Sequence, residues 1–255
     1  MNFLISASTD TGLVKKNNED SLLVKRIRTN QGNMVLAVVC DGMGGLAKGE
    51  VASASVIRAF NEWLYNNLPS LCNYPIEDKT LFEEWREIVI HQNEKIMNYG
   101  KQRGVNLGTT VVAMLITEEK YFVMNVGDSR AYEISDSLCL LTHDQTVVAN
   151  EVQAGRMTEE EAENDPRSHV LLQCVGASNT VEPEFVCGSV RQDAVYMLCS
   201  DGFRHTLSPE EIFENLGAAQ MTAPEIMKTH EVALIRLAMD RQEKDNISVV
   251  SVRTY

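Results

Sequence analysis

The chain has 255 residues, 44% of them hydrophobic, and a formal net charge of −13. That length and composition suit one large domain, residues 1–255, with a substantial buried core. The acidic balance argues against a nucleic-acid binder, and no apolar run reaches the ~18 residues of a membrane helix. The opening MNFLISASTD lacks a basic region and its apolar part is too short for a signal peptide, so a cytoplasmic protein is expected.

In chain order, FLISAST and SLLVKRI are β-rich, and QGN at 31–33 reads as a turn before a buried strand, Met34 to Cys40. Residues 48 to about 67 have the spacing of a helix, with Ala52, Val56, Ala59, Phe60 and Trp63 on one face. A second helix is predicted over about 80–101, with Leu81, Trp85, Ile88, Val89 and Ile96 inward. Strands return in GTTVVAMLIT, KYFVMNVGD, RAYEIS and LCLLT. Residues 144–180 read as helical and polar, with a capping box from Thr158 to Glu161. Strands follow at 184–190 and 194–200. Ser208-Pro209-Glu210-Glu211 opens a helix, with Ser as N-cap and Pro at the first helical position. Another helix is expected from Thr222, with Glu225 completing its box, and ISVVSV closes the chain as a strand. Hairpin-like strands and paired helices do not make βαβ alternation. The predicted class is α+β, two antiparallel sheets packed together with helix pairs outside.

The six cysteines, Cys40, Cys72, Cys139, Cys174, Cys187 and Cys199, form no CxxC pair. They read as free thiols of a reducing compartment, with no zinc site.

Several acids share one context. Asp41 follows MVLAVVC and precedes glycines 42, 44 and 45. Asp201 follows AVYMLCS and precedes Gly202. Asp128 follows YFVMNVG, Asp245 stands just before the last strand, and Glu19 and Asp20 open SLLV. A lone Asp-Gly after a strand is usually a turn. A set of charges at the ends of buried strands is costly unless paired or metal-bound, and few Lys or Arg stand near them in sequence. Oxygen-only donors select hard cations such as Mg²⁺ or Mn²⁺, and two such ions ~3.5–4 Å apart can hold and activate a water. The glycines after Asp41 would let a backbone carbonyl approach an ion.

The blocks TDTGLVKKNNED (9–20), VVCDGMGG (38–45), GTTVVA (108–113), NVGDSRAY (125–132), LTHDQT (141–146), CSDGF (199–203) and DNISVV (245–250) together resemble the metal-dependent protein phosphatases of the protein phosphatase 2C type, in their compact bacterial form. The resemblance spans nearly the whole chain. It implies a β-sandwich between helix pairs, and hydrolysis of phosphoserine and phosphothreonine in proteins with Mn²⁺ or Mg²⁺. Carried over residue by residue, Asp41 bridges two metals and Gly42 offers its carbonyl to the second. Asp201 and Asp245 complete the first, Glu19 and Asp20 act on the second, and Asp128 helps hold a third, weaker ion. Residues 144–180 match a flap beside the site.

Two departures stand out. Relatives usually grip the substrate phosphate with Arg where this chain has Lys15, a point charge without the bidentate fork. Met43 stands where eukaryotic relatives carry a histidine. Of His91, His143, His169, His205 and His230, only His143 sits in a motif, and a structural or surface role is its simpler reading. The implied partners are phosphoproteins and a cognate Ser/Thr kinase, for a monomeric enzyme. The alternatives are a pseudophosphatase that binds a kinase and a narrow-substrate phosphatase of an anti-sigma-type switch.

Overall fold

In the computed structural model, which describes residues 1–44 and 48–255, the run Met34 to Cys40 is a strand apolar at every position because both its faces are covered. Gly45, the third glycine after Asp41 in the sequence, lies outside the described residues. The chain begins with β1 (Phe3–Asp10), β2 (Ser21–Thr29), β3 (Gly32–Cys40) and the short β4 (Gly42–Gly44). Helix α1 (Gly49–Asn66), one turn α2 (Leu68–Leu71) and α3 (Asp78–Arg103) follow. Next come β5 (Leu107–Thr109), β6 (Val111–Ile116), β7 (Lys120–Val126), β8 (Arg130–Ile134) and β9 (Leu138–Leu140). After α4 (Val147–Gln153) and α5 (Glu159–Glu163) the chain enters β10 (Glu184–Ser189) and β11 (Val195–Cys199). It ends with α6 (Asp201–Arg204), α7 (Pro209–Leu216), α8 (Pro224–Asp240) and β12 (Ile247–Thr254).

One five-stranded sheet runs β1-β12-β11-β8-β9 and a second runs β10-β7-β6-β3-β2, while β4 and β5 form a separate ribbon. Every pairing is antiparallel. Alternation along each strand divides the core into layers. Val35, Ala37 and Val39 meet Tyr196, Leu198 and Val250 between the sheets. Met34, Leu36, Val38 and Cys40 pack with Val56 and Phe60 of α1 and Trp85 of α3. On the far side, Met197, Cys199 and Val249 pack with Phe203, Ile212 and Leu234 of the C-terminal helices. The expected arrangement, helix pairs outside two antiparallel sheets, is what forms.

Three local expectations need correction. The turn before β3 falls one residue earlier than QGN, because Gly32 and Asn33 already pair with Thr29 and Arg28. Residues 144–180 are not largely helical. Only α4, capped by Thr146, and α5, with the Thr158–Glu161 capping box, are helices. Pro166 cannot extend α5, and Gly176 takes φ +107 with no room for a side chain beside Ile96. The segment instead folds back on itself, Leu172 N–H donating to Gln145 O at 2.8 Å, and is stitched to β5 by two 2.9 Å bonds between Thr109 and Val175. The Ser208–Glu211 box forms as expected, but the Thr222–Glu225 box does not. Pro224 takes the first helical position, which makes Ala223 the N-cap and leaves Glu225 one residue short of closing a box.

Candidate metal centre

Strand register brings the acids to one end of the sandwich. Ser21 pairs with Cys40, so Asp20 and Asp41 flank the last rung of the β2–β3 ladder. Cys199 pairs with both Arg130 and Val249, so Asp201, Asp128 and the approach to β12 lie at the matching end of the other sheet. Ser200 joins the two sheets. Its Oγ donates to Asp20 Oδ2 at 2.9 Å and accepts from Ser248 N–H at 3.0 Å. Asp41 is fixed through its backbone, with its N–H on Thr110 Oγ1 at 3.0 Å and its carbonyl accepting from Thr109 Oγ1 and Thr110 N–H, both at 2.9 Å. Thr110 Oγ1 also bonds Ser129 Oγ at 2.7 Å, beside Asp128.

The loop carrying Lys15, Glu19 and Asp20 is clamped by the buried Asn246. Asn246 Oδ1 accepts from Glu19 N–H at 2.8 Å, and Nδ2 donates to Thr11 O and Asn17 O at 2.9 and 3.1 Å. Gly12 adopts φ +76 under this clamp, where a Cβ would stand 2.4 Å from Asp245 O. Glu19 caps α1, with Oε1 accepting from Gly49 N–H at 3.0 Å. Gly42 is equally confined, since a Cβ there would meet Gly49 O at 2.4 Å and Glu19 O at 2.5 Å.

Burial and repulsion from neighbouring carboxylates raise the proton affinity of Asp20, Asp41 and Asp128. Asp20 is pushed up to about 7, first by burial and then by Asp201 and Asp245, against the hydrogen bond from Ser200. Asp41 is raised well above the usual carboxylate range by burial, Asp20, Asp201, Asp128 and Asp245. Asp128 is pushed up to about 7 by burial and Asp201, although Arg204 opposes the shift. The structure thus brings Asp20, Asp41, Asp128, Asp201 and Asp245 into one electrostatic cluster.

The donor set fits hard divalent cations in kind. Every donor is oxygen, and among the described residues the buried Asp20 Oδ1 and Asp201 Oδ1 have no hydrogen-bond partner. Among the same residues no three acidic, imidazole or thiol side chains are gathered around one point. The carboxylates are instead turned toward protein donors: Asp245 toward Lys15 Nζ at 2.6 Å, Asp20 toward Ser200, Glu19 toward Gly49. A surface hollow of about 400 Å³ lies along α3, lined by residues such as His91 and Tyr99, and no member of the acid cluster borders it.

Cations near the acids are more numerous than the sequence suggests. Lys15 reaches Asp245, with its side chain 38% exposed. Burial opposes its charge, but Asp245, Asp41 and Glu19 outweigh that and raise its pKa. Arg130 forks onto Asp144 at 2.8 Å to each oxygen, and Arg204 bridges Asp144 Oδ2 and Asp128 O at 3.2 and 3.1 Å. His143 points elsewhere, 81% exposed and paired with Glu184 at 2.5 Å. His205 is the histidine beside the acids, with Nε2 3.6 Å from Asp201 Oδ2. Sequence reasoning gave it no role, although its place four residues after Asp201 puts both on one helix face.

The family model "Protein phosphatase 2C" matches residues 14–233. The serine/threonine phosphatase stp of Listeria monocytogenes is 30% identical over 248 residues, covering 96% of this chain and 93% of the relative. The crystal structure of the serine/threonine phosphatase Stp1 from Staphylococcus aureus is 28% identical with a TM-score of 0.85, and the match covers all of this chain and 96% of that one. The catalytic domain of the serine/threonine protein phosphatase PstP, solved with two manganese ions, is 31% identical with a TM-score of 0.77 and covers 99% of both chains. The family match covers most of the chain and the Listeria relative is matched over nearly its whole length, so the chain belongs to the protein phosphatase 2C family.

Proposed function

We propose that this protein is a Mn²⁺- or Mg²⁺-dependent serine/threonine protein phosphatase. The observation that carries the reading is the convergence of Asp20, Asp41, Asp201 and Asp245 from four strand ends, with buried oxygens of Asp20 and Asp201 left without a donor among the described residues. Asp41, Asp201 and Asp245 would hold one ion. Asp41, the Gly42 carbonyl, Glu19 and Asp20 would hold the second, and Asp128 a weaker third. When bound, the ions supply an activated water and positive charge for a phosphoryl group. Asp41 and Asp201 are thereby the acids on which turnover depends most.

Lys15 supplies the remaining charge. Its Nζ sits on Asp245, within reach of the acids, and in this reading it turns to the substrate phosphate. Lys16, its neighbour, is exposed. The Arg130–Asp144–Arg204 network holds the Asp128 turn against α6. Phosphoproteins are the substrate class. An opposing Ser/Thr kinase, a monomeric state and a cytoplasmic location belong to the same proposal, and no helix of the described residues is long and apolar enough to cross a membrane. Release of phosphate from p-nitrophenyl phosphate and from a phosphothreonine peptide, in chelator and in millimolar Mn²⁺, tests the reading. Turnover of both only with Mn²⁺ is expected, and full turnover in excess chelator would overturn it.

A further inference from the structure

Glu243 and His205 stand beside the acids without being among the proposed ligands. Glu243 lies in the turn between α8 and β12, after Gln242 at φ +67, and is only 6% exposed. Its Oε1 accepts the backbone N–H of Lys244 at 2.7 Å and of Asp245 at 2.9 Å. Its Oε2 faces His205 Nδ1 at 3.7 Å. The other ring nitrogen faces Asp201 at 3.6 Å, and the His205 N–H donates to Asp201 O at 3.1 Å across the single turn of α6. A carboxylate this buried is costly without partners, and both oxygens of Glu243 are directed at groups that lead to proposed metal ligands. The line Asp245–Glu243–His205–Asp201 therefore joins two acids that arrive on different strands.

The structure assigns Glu243 and His205 the role of positioning residues, which set affinity for the divalent ion by fixing Asp245 and Asp201 relative to each other. This rests on the metal-dependent reading. Glu243 acts on Asp245 through a backbone N–H, so any acceptor of the same length can serve. His205 acts on the Asp201 carboxylate from the side, and its own place depends on Glu243. Outer partners of this kind typically change metal affinity by about 10–100-fold when removed.

Calorimetric titration of Mn²⁺ into the full chain at one pH tests the assignment, with melting in chelator as the check on folding. Glu243→Ala is expected to weaken binding about 10–100-fold. Glu243→Gln is expected to recover most of that loss, because its amide oxygen still accepts from Asp245 N–H. His205→Ala should weaken binding less, and the double Ala variant should be no weaker than Glu243→Ala, since the pair acts as a unit. Wild-type affinity in both single Ala variants, failure of Glu243→Gln to recover affinity, or fully additive losses would overturn the assignment. If Glu243→Ala does not fold in chelator, His205→Ala and Glu243→Gln decide: wild-type affinity in His205→Ala would overturn it. No Mn²⁺ binding by the wild type would overturn the metal reading itself, whereas wild-type binding with unaffected variants overturns this assignment alone.

Discussion

Melting the metal-free protein in chelator between pH 5 and pH 7 probes the acid cluster without any substrate. Asp20 rises from 3.8 to about 7 on folding, and Asp128 does the same. A folded-state pKa above the unfolded value means that the native state binds more protons across this window. The stability such a group contributes is full below the unfolded pKa and is lost as pH rises through the folded one. For one group the loss from pH 5 to pH 7 is about 2 kcal/mol. The acids titrate together, so that figure is taken once for the cluster and not summed. At roughly 2–4 °C per kcal/mol for a chain of this size, Tm should fall by about 4–8 °C. Asp165 and Glu211 are lowered to about 2 by their arginine partners, so their contribution is lost only in more acidic solution. Glu231, buried and raised, and His205, raised by Glu243 and Asp201 despite burial, add in the same direction as the cluster. Asp20→Asn separates the terms by flattening the slope and raising Tm at pH 8 in chelator. With saturating Mn²⁺ the wild-type slope should reverse, because ion binding displaces protons from the carboxylates. A wild-type Tm in chelator that is flat or rises between pH 5 and pH 7 would refute the reasoning.

Asp41→Asn and Asp201→Asn should each lower kcat by several orders of magnitude at saturating Mn²⁺, and a loss of tenfold or less in steady-state kinetics would mean the site is misplaced. Lys15→Ala should raise KM for a phosphothreonine peptide by about tenfold to a hundredfold, the worth of a lost charged hydrogen bond of roughly 1.5–3 kcal/mol, with less effect on kcat. Lys15→Arg should lower KM or leave it unchanged, and an effect from Lys16→Ala in its place would shift the motif by one residue. Gly42→Ala should lower Tm in chelator, because its Cβ would lie 2.4 Å from Gly49 O and 2.5 Å from Glu19 O, backbone atoms that cannot swing aside. An unchanged Tm would show that β4 and α1 can separate at little cost.

The architecture was legible where one rule dominated. Met34 to Cys40 is apolar throughout because helices cover one face and the second sheet the other, so the run announced a central strand. Ser208 and Glu211 carry a complete capping signature and form it. Thr222 and Glu225 carry the same spacing, but Pro224 between them fixes the helix start elsewhere. The segment 144–180 misled because its polar composition suits exposed helices, whereas its path is set by long-range bonds from Thr109 and Gln145. The acids could be found because each ends or opens an apolar run. Their partners could not: Lys15 meets Asp245 from the opposite end of the chain, and His205 meets Glu243 only after α7 and α8 have returned the chain to the same end. Arg130 and Asp144 sat in recognised blocks, yet only the folded β8–β9 hairpin shows that they pair.

The central claim is that these carboxylates hold divalent ions. Anomalous diffraction at the manganese edge, from crystals grown with Mn²⁺, tests it most directly. Two strong peaks are expected at the end of the sandwich, bridged by the Asp41 carboxylate, one also bound by Asp201 and Asp245 and the other by the Gly42 carbonyl. Peaks only elsewhere on the protein, or none in crystals saturated with Mn²⁺, would contradict it.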